Sequence, residues 1–211
     1  MSLKQTSAIL FPSENSRATE DILAGGNPRE VAREFDLDFA RGRARLHVQA
    51  NQALDLTSSR GSVSAIPPVW RRTGSLDTFK AWIGTGGGVV SLASLPVPAQ
   101  PWSGRTFSLP QDLCVQERAD IEMAGYAYLF GDSSRVASYR QAIEQVAGAF
   151  ELAVYMAHDV RIEAGGVLRI HGAPALVLFE RLQIVEGGRL LINVPSRVHV
   201  GEISKLAAGG Q

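Results

Sequence analysis

The sequence predicts a mainly all-β protein built around a parallel β-helix with coils of about 22 residues. Residues 160–170 align with residues 182–192, with aliphatic residues at the first, third, ninth and eleventh positions and a Gly-Gly pair in the middle. Within each segment the aliphatic residues alternate with period two, which indicates strands rather than helices. A short repeat of three strands joined by glycine turns is typical of a coil whose equivalent side chains stack about 4.8 Å apart.

The alignment predicts which residues stack from coil to coil. The inward ladders are uniformly aliphatic: Val160/Leu182, Ile162/Ile184/Leu206, Leu168/Leu190, Ile170/Ile192, Leu176/Val198 and Leu178/Val200. The outward ladders are mixed: Arg161/Gln183/Lys205, Glu163/Val185/Ala207, Arg169/Leu191 and Val177/His199. Because a slip by one residue would reverse every face, this consistency favours the alignment over an ordinary meander with a chance glycine match.

The pattern divides the chain into four segments. Residues 1–35 are expected to form an arm with a short helix, since Asn27, Pro28 and Glu30 suit the N-cap, N1 and N3 positions. Residues 36–133 are expected to be an irregular β region of early coils. Residues 134–150 are predicted to form an amphipathic helix, inserted into the coils or capping them. Residues 151–211 are the regular coils, and one continuous domain begins at about residue 36.

Within the irregular region, strands are predicted at 43–50, near Leu54 and Leu56, and at 63–66. A glycine turn followed by a strand is predicted at 84–92. Residues 115–123 align with 184–192 except for the glycines, which predicts another coil corner. The helix is expected to begin with Ser134 as its N-cap. Its apolar stripe has spacings of three and four residues: Val136, Tyr139, Ile143, Val146, Ala147 and Phe150.

Composition and charge narrow the classes of protein. The 211 residues carry 21 basic and 21 acidic side chains, and a formal net charge of zero argues against a nucleic acid partner. The single cysteine, Cys114, excludes a disulfide within the chain. Neither a membrane span nor a classical signal peptide is visible. The default localisation is therefore cytoplasmic, with release by lysis or by a dedicated machine left open.

No catalytic motif stands out, so the sequence favours a protein that is not an enzyme and that uses no cofactor or metal. Its four histidines lack metal-ligand spacing: His47, His158, His171 and His199. Residues 84–88 lack the Gly-Lys-Ser/Thr ending of a phosphate-binding loop. Cys114 lies in a strand pattern without a neighbouring histidine. Asp159, Arg161 and Glu163 fall on one outward edge, where a solvated charged face is expected ahead of an enzyme site.

A candidate binding surface lies in the irregular region, where tryptophan and arginine occur together. Its residues are Trp70, Arg71, Arg72, Trp82, Trp102 and Arg105. Aromatic residues with arginine are typical of interface hot spots and of sugar platforms, although tryptophan in a β core is the commoner explanation.

A candidate self-association interface lies at the end of the repeats. The third repeat is incomplete at Gln211, which predicts a last strand with an uncovered edge. The residues expected there are Lys205 and Leu206, together with the outward apolar Val185 and Leu191. Glu180 and Glu202 are also expected to stack as like charges. We therefore expect a homo-oligomer.

The glycine turns and aliphatic ladders resemble the right-handed β-helix superfamily, which includes polysaccharide lyases, phage tailspikes and bactofilin-type cytoskeletal proteins. The resemblance covers about 50 residues and implies the architecture, a right-handed parallel β-helix, without a family-specific catalytic motif. Fold alone does not determine function.

Three functions are compatible with these observations. The first is a non-enzymatic, self-associating structural subunit or a binding module for another protein. The second is a carbohydrate-active enzyme or a phage-type receptor or polysaccharide binder, which a cleft of carboxylates near Asp159 or Asp120, flanked by Trp102 or Trp82, would favour. The third is a toxin or effector delivered by the arm at 1–35.

Overall fold

The computed structural model describes residues 23–25, 27–39, 44–59, 61–83, 95–194 and 196–207. The strands in these ranges are β1 (Leu23–Gly25), β2 (Arg45–Val48), β3 (Ala53–Thr57), β4 (Val69–Thr73), β5 (Phe150–Ile162), β6 (Val167–His171), β7 (Ala175–Val185), β8 (Arg189–Ile192) and β9 (Ser196–Leu206). The α-helices there are α1 (Pro28–Glu34), α2 (Leu76–Ile83), α3 (Val115–Phe130) and α4 (Arg140–Ala147). The protein is therefore mixed α/β, and the prediction of an all-β right-handed parallel β-helix is wrong.

The described residues form two compact units that interleave along the chain. The helical unit contains residues 72–81 and 95–150, and the sheet unit contains the described residues of 23–71 together with 82–83 and 151–207. None of the helices in the described ranges is long and apolar enough to cross a membrane. The glycine turn predicted at 84–92 lies outside the described residues.

The clearest departure from the all-β prediction is α3, which replaces the coil corner expected at 115–123. Cys114 precedes the helix, and its backbone N–H donates to the Glu117 carboxylate over 2.8 Å, while its Sγ accepts from the Glu117 N–H. This reciprocal capping fixes the start of the helix. Ile121, Ala124 and Tyr128 are buried at spacings of three and four residues. The nine residues at 115–123 contain too few apolar positions to distinguish a strand corner from the start of a helix.

Residues 61–83 also differ from the predicted strands. Residues 63–66 form no strand, and Val63 is 91% exposed. The strand of this region is β4, and α2 follows it with Leu76, Phe79 and Ile83 buried on one face. The apolar spacing of three and four residues in α2 is that of an amphipathic helix.

The helix predicted at 134–150 is shorter than expected and has a different start. Asp132, rather than Ser134, is the N-cap of a 3-10 helix at Ser133–Tyr139, and Val136 interrupts its helical backbone. The α-helix α4 follows and ends before Gly148, whose φ of 67° suits a residue without Cβ. Phe150 then begins β5.

The strands form two sheets. The six-stranded sheet has the order β1-β9-β7-β5-β2, with β4 also beside β5, and the three-stranded sheet has the order β3-β6-β8. The pairs β1–β9, β2–β5, β5–β7, β7–β9, β3–β6 and β6–β8 are all parallel. A shared core of aliphatic and aromatic side chains stabilises the sheet unit, with Tyr155, Phe179 and Ile162 fully buried in it.

Part of the predicted register is confirmed. The observed pairs that match are Val160–Leu182, Arg161–Gln183, Ile162–Ile184, Leu168–Leu190, Arg169–Leu191 and Ile170–Ile192. The pairs predicted between the later strands are wrong by one residue, since β7 and β9 pair as Leu176–Arg197, Val177–Val198, Leu178–His199, Phe179–Val200, Ile184–Lys205 and Val185–Leu206. Counted from the paired residues Ile170 and Ile192, β9 begins one residue earlier than β7 does, so the offset falls from 22 to 21.

The predicted faces in the first half of β7 are also reversed. Val177 and Phe179 belong to the core of the sheet unit, whereas Leu176 and Leu178 are buried outside that cluster. Leu182, three residues after Phe179, belongs to the core again, so period-two alternation does not continue through the strand. The alternation therefore shifts by one residue between Phe179 and Leu182.

Helix α1 begins as the sequence predicts, and an ion pair connects it to β7. The Asn27 side chain caps it by accepting from the Arg29 N–H over 3.0 Å. The Arg29 guanidinium and the His158 ring both contact the Glu180 carboxylate. These contacts hold the pKa of Glu180 below its usual range, with the hydrogen bond from Arg29 as the main cause.

Candidate functional site

Four charged residues form a row across the six-stranded sheet. Arg45, Asp159, Arg181 and Glu202 occupy equivalent positions on β2, β5, β7 and β9, because the strands pair Arg45–Asp159, Asp159–Arg181 and Arg181–Glu202. We call these residues the charged row. Their signs alternate from strand to strand, and opposite charges on neighbouring strands are favourable.

Asp159 is the centre of the ion pairs in the charged row. Its Oδ1 lies 2.6 Å from Arg181 Nε, and its Oδ2 lies 3.4 Å from Arg45 Nε. The Arg45 side chain is 84% exposed, so this contact is loose and surrounded by solvent. Glu202 is exposed and is opposite Arg181 in the register. Such exposed pairs contribute about 0–1 kcal/mol each to the free energy of unfolding. The charged row therefore does more to orient its own side chains than to stabilise the fold.

A second row lies two residues further along the strands, where His47, Arg161, Gln183 and Ser204 occupy equivalent positions on β2, β5, β7 and β9. His47 Nε2 lies 2.9 Å and Arg161 Nε lies 2.7 Å from the same oxygen, Oε1 of Glu163. These contacts hold the pKa of Glu163 below its usual range, with the hydrogen bond from Arg161 as the main cause. A carboxylate held in its ionised form is unsuited to act as a general acid near neutral pH.

A depression of about 350 Å³ lies over the two rows. Its charged and polar lining residues are Arg45, Asp159, Arg161, Arg181 and Gln183. The arginines already contact carboxylates of the chain itself. An anionic ligand would have to displace those contacts, so the geometry here favours internal ion pairing over ligand binding.

The row of core residues next to the charged row becomes exposed at β9. Leu46, Val160, Leu182 and Ile203 are equivalent on β2, β5, β7 and β9. The first three are 8%, 1% and 0% exposed, whereas Ile203 is 39% exposed. β1 pairs with β9 only at Val198–Val200. Beyond that point, no strand in the described part of the chain pairs with β9 on the side away from β7.

The residues of the predicted binding surface are divided between the two units. In the sheet unit, Trp70 is 42% exposed on β4, while Arg71 donates to the carbonyl oxygens of Phe35 and Asp36 over 2.9 and 2.8 Å. Trp82 packs against Phe35 with ring centroids 5.7 Å apart. Arg71 and Trp82 therefore stabilise the turn after α1.

The remaining members of the predicted surface lie in the helical unit. Trp102 packs against Phe107 and Tyr139. Arg105 contacts both carboxylate oxygens of Glu117, at 2.5 and 2.7 Å. Arg72 is exposed. The contacts of Trp102 and Arg105 are those of packing and helix capping rather than of a sugar platform.

Of the predicted interface residues, Lys205 and Leu206 lie on β9, Val185 lies on β7 and Leu191 lies on β8. Lys205 is exposed, and Leu206 and Leu191 are half-buried. Val185 was expected to face outward, but it is buried at 6% exposure beside Leu206. Val185 therefore offers little surface for contact.

The expected stack of Glu180 on Glu202 is wrong, because Arg181 is the residue opposite Glu202. Sequence reasoning also missed Arg45, Arg181 and Ile203 as site residues. The offset that aligns Val160 with Leu182 also aligns Asp159 with Arg181, so that pair carried a usable signal.

His199 is a buried polar group on β9. It is 3% exposed, and neither ring nitrogen has a hydrogen-bond partner within the described structure. Burial lowers the pKa of His199 from its ordinary value of 6.5; Arg197 acts in the same direction, and Glu34 opposes the shift. The folded chain therefore resists a proton that the unfolded chain accepts.

We expect His199→Leu to raise the free energy of unfolding by about 1–2 kcal/mol at pH 8, because it removes two unpaired buried nitrogens. The gain should grow as the pH falls below about 6.5, where the unfolded wild type is stabilised by protonation of His199. Urea unfolding of both proteins at pH 8 and pH 5.5 measures this. A gain that is the same at both pH values would contradict the proposed titration.

Comparisons with protein-family models, with curated proteins and with solved structures gave no match. Within the described ranges, no three His, Cys, Asp or Glu side chains are placed to share a metal ion. Function is therefore inferred from the exposed sheet edge and the rows that end there.

Proposed function

We propose that this protein is a self-associating assembly subunit whose contact is the exposed edge of β9 at residues 202–204. The observation that carries the proposal is Ile203, which continues a row of core residues and yet is 39% exposed. An edge strand without a partner is a ready template for pairing with another chain.

Both the side chain and the backbone favour association at this edge. Burial of an isoleucine side chain is worth about 1.5–3 kcal/mol, and a paired strand also satisfies the backbone groups of the edge. Glu202 and Ser204, which flank Ile203, keep the edge polar on the opposite face. This combination supports a reversible and specific contact rather than unspecific aggregation.

The contacts of two of the three tryptophans, Trp82 and Trp102, favour assembly over the polysaccharide alternative. Trp82 packs on Phe35, and Trp102 packs on Phe107 and Tyr139. Rings engaged in this way present less face for stacking on a sugar.

The test is the molar mass in solution, measured by light scattering over a concentration series. We expect the mass of the wild type to rise with concentration, and Ile203→Lys to raise the dissociation constant at least about tenfold by removing the apolar contact. Val63→Lys is the matched control, because Val63 is 91% exposed and lies in no strand, and it should associate like the wild type.

A wild type that stays monomeric throughout the series would refute the proposal. Unchanged association of Ile203→Lys would also refute it, since the contact would then lie elsewhere. Thermal unfolding of each variant verifies that the lysine has not disrupted the fold.

A further inference from the structure

We infer that the partner of the β9 edge is β2 of a second copy of this chain, bound head to tail. This inference rests on the proposed function and names its partner. Like β9 beyond Val200, β2 pairs on one side only, with β5, within the described residues. Both strands belong to the sheet unit, so one unit carries both halves of the contact.

The register inside the chain predicts the register between copies. If β2 of a second copy follows β9 as β9 follows β7, Arg45 lies beside Glu202, Leu46 beside Ile203 and His47 beside Ser204. The alternation Arg45, Asp159, Arg181, Glu202 would then continue with Arg45 of the next copy. The row of core residues would likewise continue from Ile203 to Leu46 of the next copy. Inside the chain, the same row begins with Leu46 beside Val160.

The charges at the two edges are complementary. Glu202 is exposed at one end of the charged row, and Arg45 is 84% exposed at the other end. Arg45 Nε is 3.4 Å from Asp159, whereas Arg181 Nε is 2.6 Å from it, so Arg45 is the more weakly held of the two. A second copy would supply Arg45 with a carboxylate on its outer side.

The competing arrangement is a symmetric antiparallel contact between two β9 edges. With Ile203 opposite Ile203, each Glu202 would lie opposite Ser204, which carries no charge. That arrangement would leave Glu202 unpaired and would not use Arg45. All of the strand pairs with a defined register in this sheet are also parallel, as the head-to-tail contact requires. A heterologous contact of this kind closes into a ring or extends into a filament.

The experiment is a charge swap across the two edges, read by light scattering. R45E and E202R should each raise the dissociation constant at least about tenfold, because each places like charges side by side at the contact. An equimolar mixture of the two variants should recover wild-type association. In the mixture the E202R guanidinium meets the R45E carboxylate, and the unaltered Glu202 meets the unaltered Arg45.

Two control variants lie on α3. E122R and R118E alter exposed residues of the helical unit and should associate like the wild type.

A third variant, R45Q, removes the charge of Arg45 without placing a second negative charge beside Asp159, so it should weaken association even if R45E disturbs the fold. Thermal unfolding identifies any variant that is not folded.

The outcomes separate this inference from the proposed function. If Ile203→Lys abolishes association while R45E and R45Q associate like the wild type, the head-to-tail contact is refuted and assembly through β9 stands. If R45E and E202R each weaken association but their mixture shows no recovery, the pairing of Arg45 with Glu202 is refuted. A monomeric wild type overturns both.

Discussion

Phe179→Ala is expected to lower the free energy of unfolding by about 3–5 kcal/mol. Phe179 is fully buried on β7, the strand that lies between β5 and β9 in the six-stranded sheet. Its neighbours across the two ladders are Ala157 and Val200. Because an alanine and a valine cannot expand to fill the space of a phenyl ring, the substitution leaves a cavity at the centre of the sheet unit.

Urea unfolding followed by circular dichroism measures this loss. Val63→Ala is the control, since Val63 is 91% exposed and its truncation should change the free energy of unfolding by less than about 0.5 kcal/mol. A loss below about 1 kcal/mol for Phe179→Ala would show that β7 is not the centre of a packed core.

The sequence predicts pairing well where neighbouring strands are one repeat apart. Val160–Leu182 and Ile170–Ile192 follow from a single offset, since the same side-chain types recur at that distance. The offset cannot reveal that β9 begins one residue early, because Val198 and Val200 are matched by apolar residues of β7 in both registers. Val177 was assigned to the wrong face because the alternation shifts by one residue between Phe179 and Leu182.

The repeat offset does not predict contacts between segments that are far apart in the chain. Arg169 and Asp55, on β6 and β3, are paired although they lie 114 residues apart in the chain. Arg45 and Asp159 are brought together by an equally long connection. No repeat relates these strands, so the charged row could be predicted at Asp159 and Arg181 but not at Arg45. The depression over the row was likewise invisible in the sequence.

Helices α2 and α3 were not predicted because their short apolar patterns fit a helix or a strand, and tertiary packing decides between the two. Leu76, Phe79 and Ile83 form a helical stripe of only three residues, and α3 begins with a segment that also fits strand alternation. The capping contacts of Cys114 and Glu117 settle the latter case. Asn27 and Pro28, by contrast, are strong local signals, and α1 begins where they predict.

The two glycines of the turn at Gly187 and Gly188 are required for different reasons, and this difference leads to the second large effect. Gly187 has a φ of 85°, a left-handed conformation that asparagine also tolerates. A Cβ on Gly188 would lie 3.0 Å from the carbonyl oxygens of Ile162, Glu163 and Val185. Gly188 is therefore required by the close approach of the neighbouring turn.

Gly188→Ala is expected to lower the free energy of unfolding by about 1–3 kcal/mol, because three backbone oxygens must move to admit one methyl group. Gly187→Asn is the matched control, and it should cost less, since the nearest atom to its Cβ would be the Gly165 nitrogen at 3.6 Å. Urea unfolding of the two variants decides the point. If Gly187→Asn costs as much as Gly188→Ala, the left-handed backbone, and not the contact between turns, would be the reason for both glycines. Gly166 provides the same test one turn earlier, since its Cβ would lie 2.9 Å from the Gln49 and Glu163 oxygens.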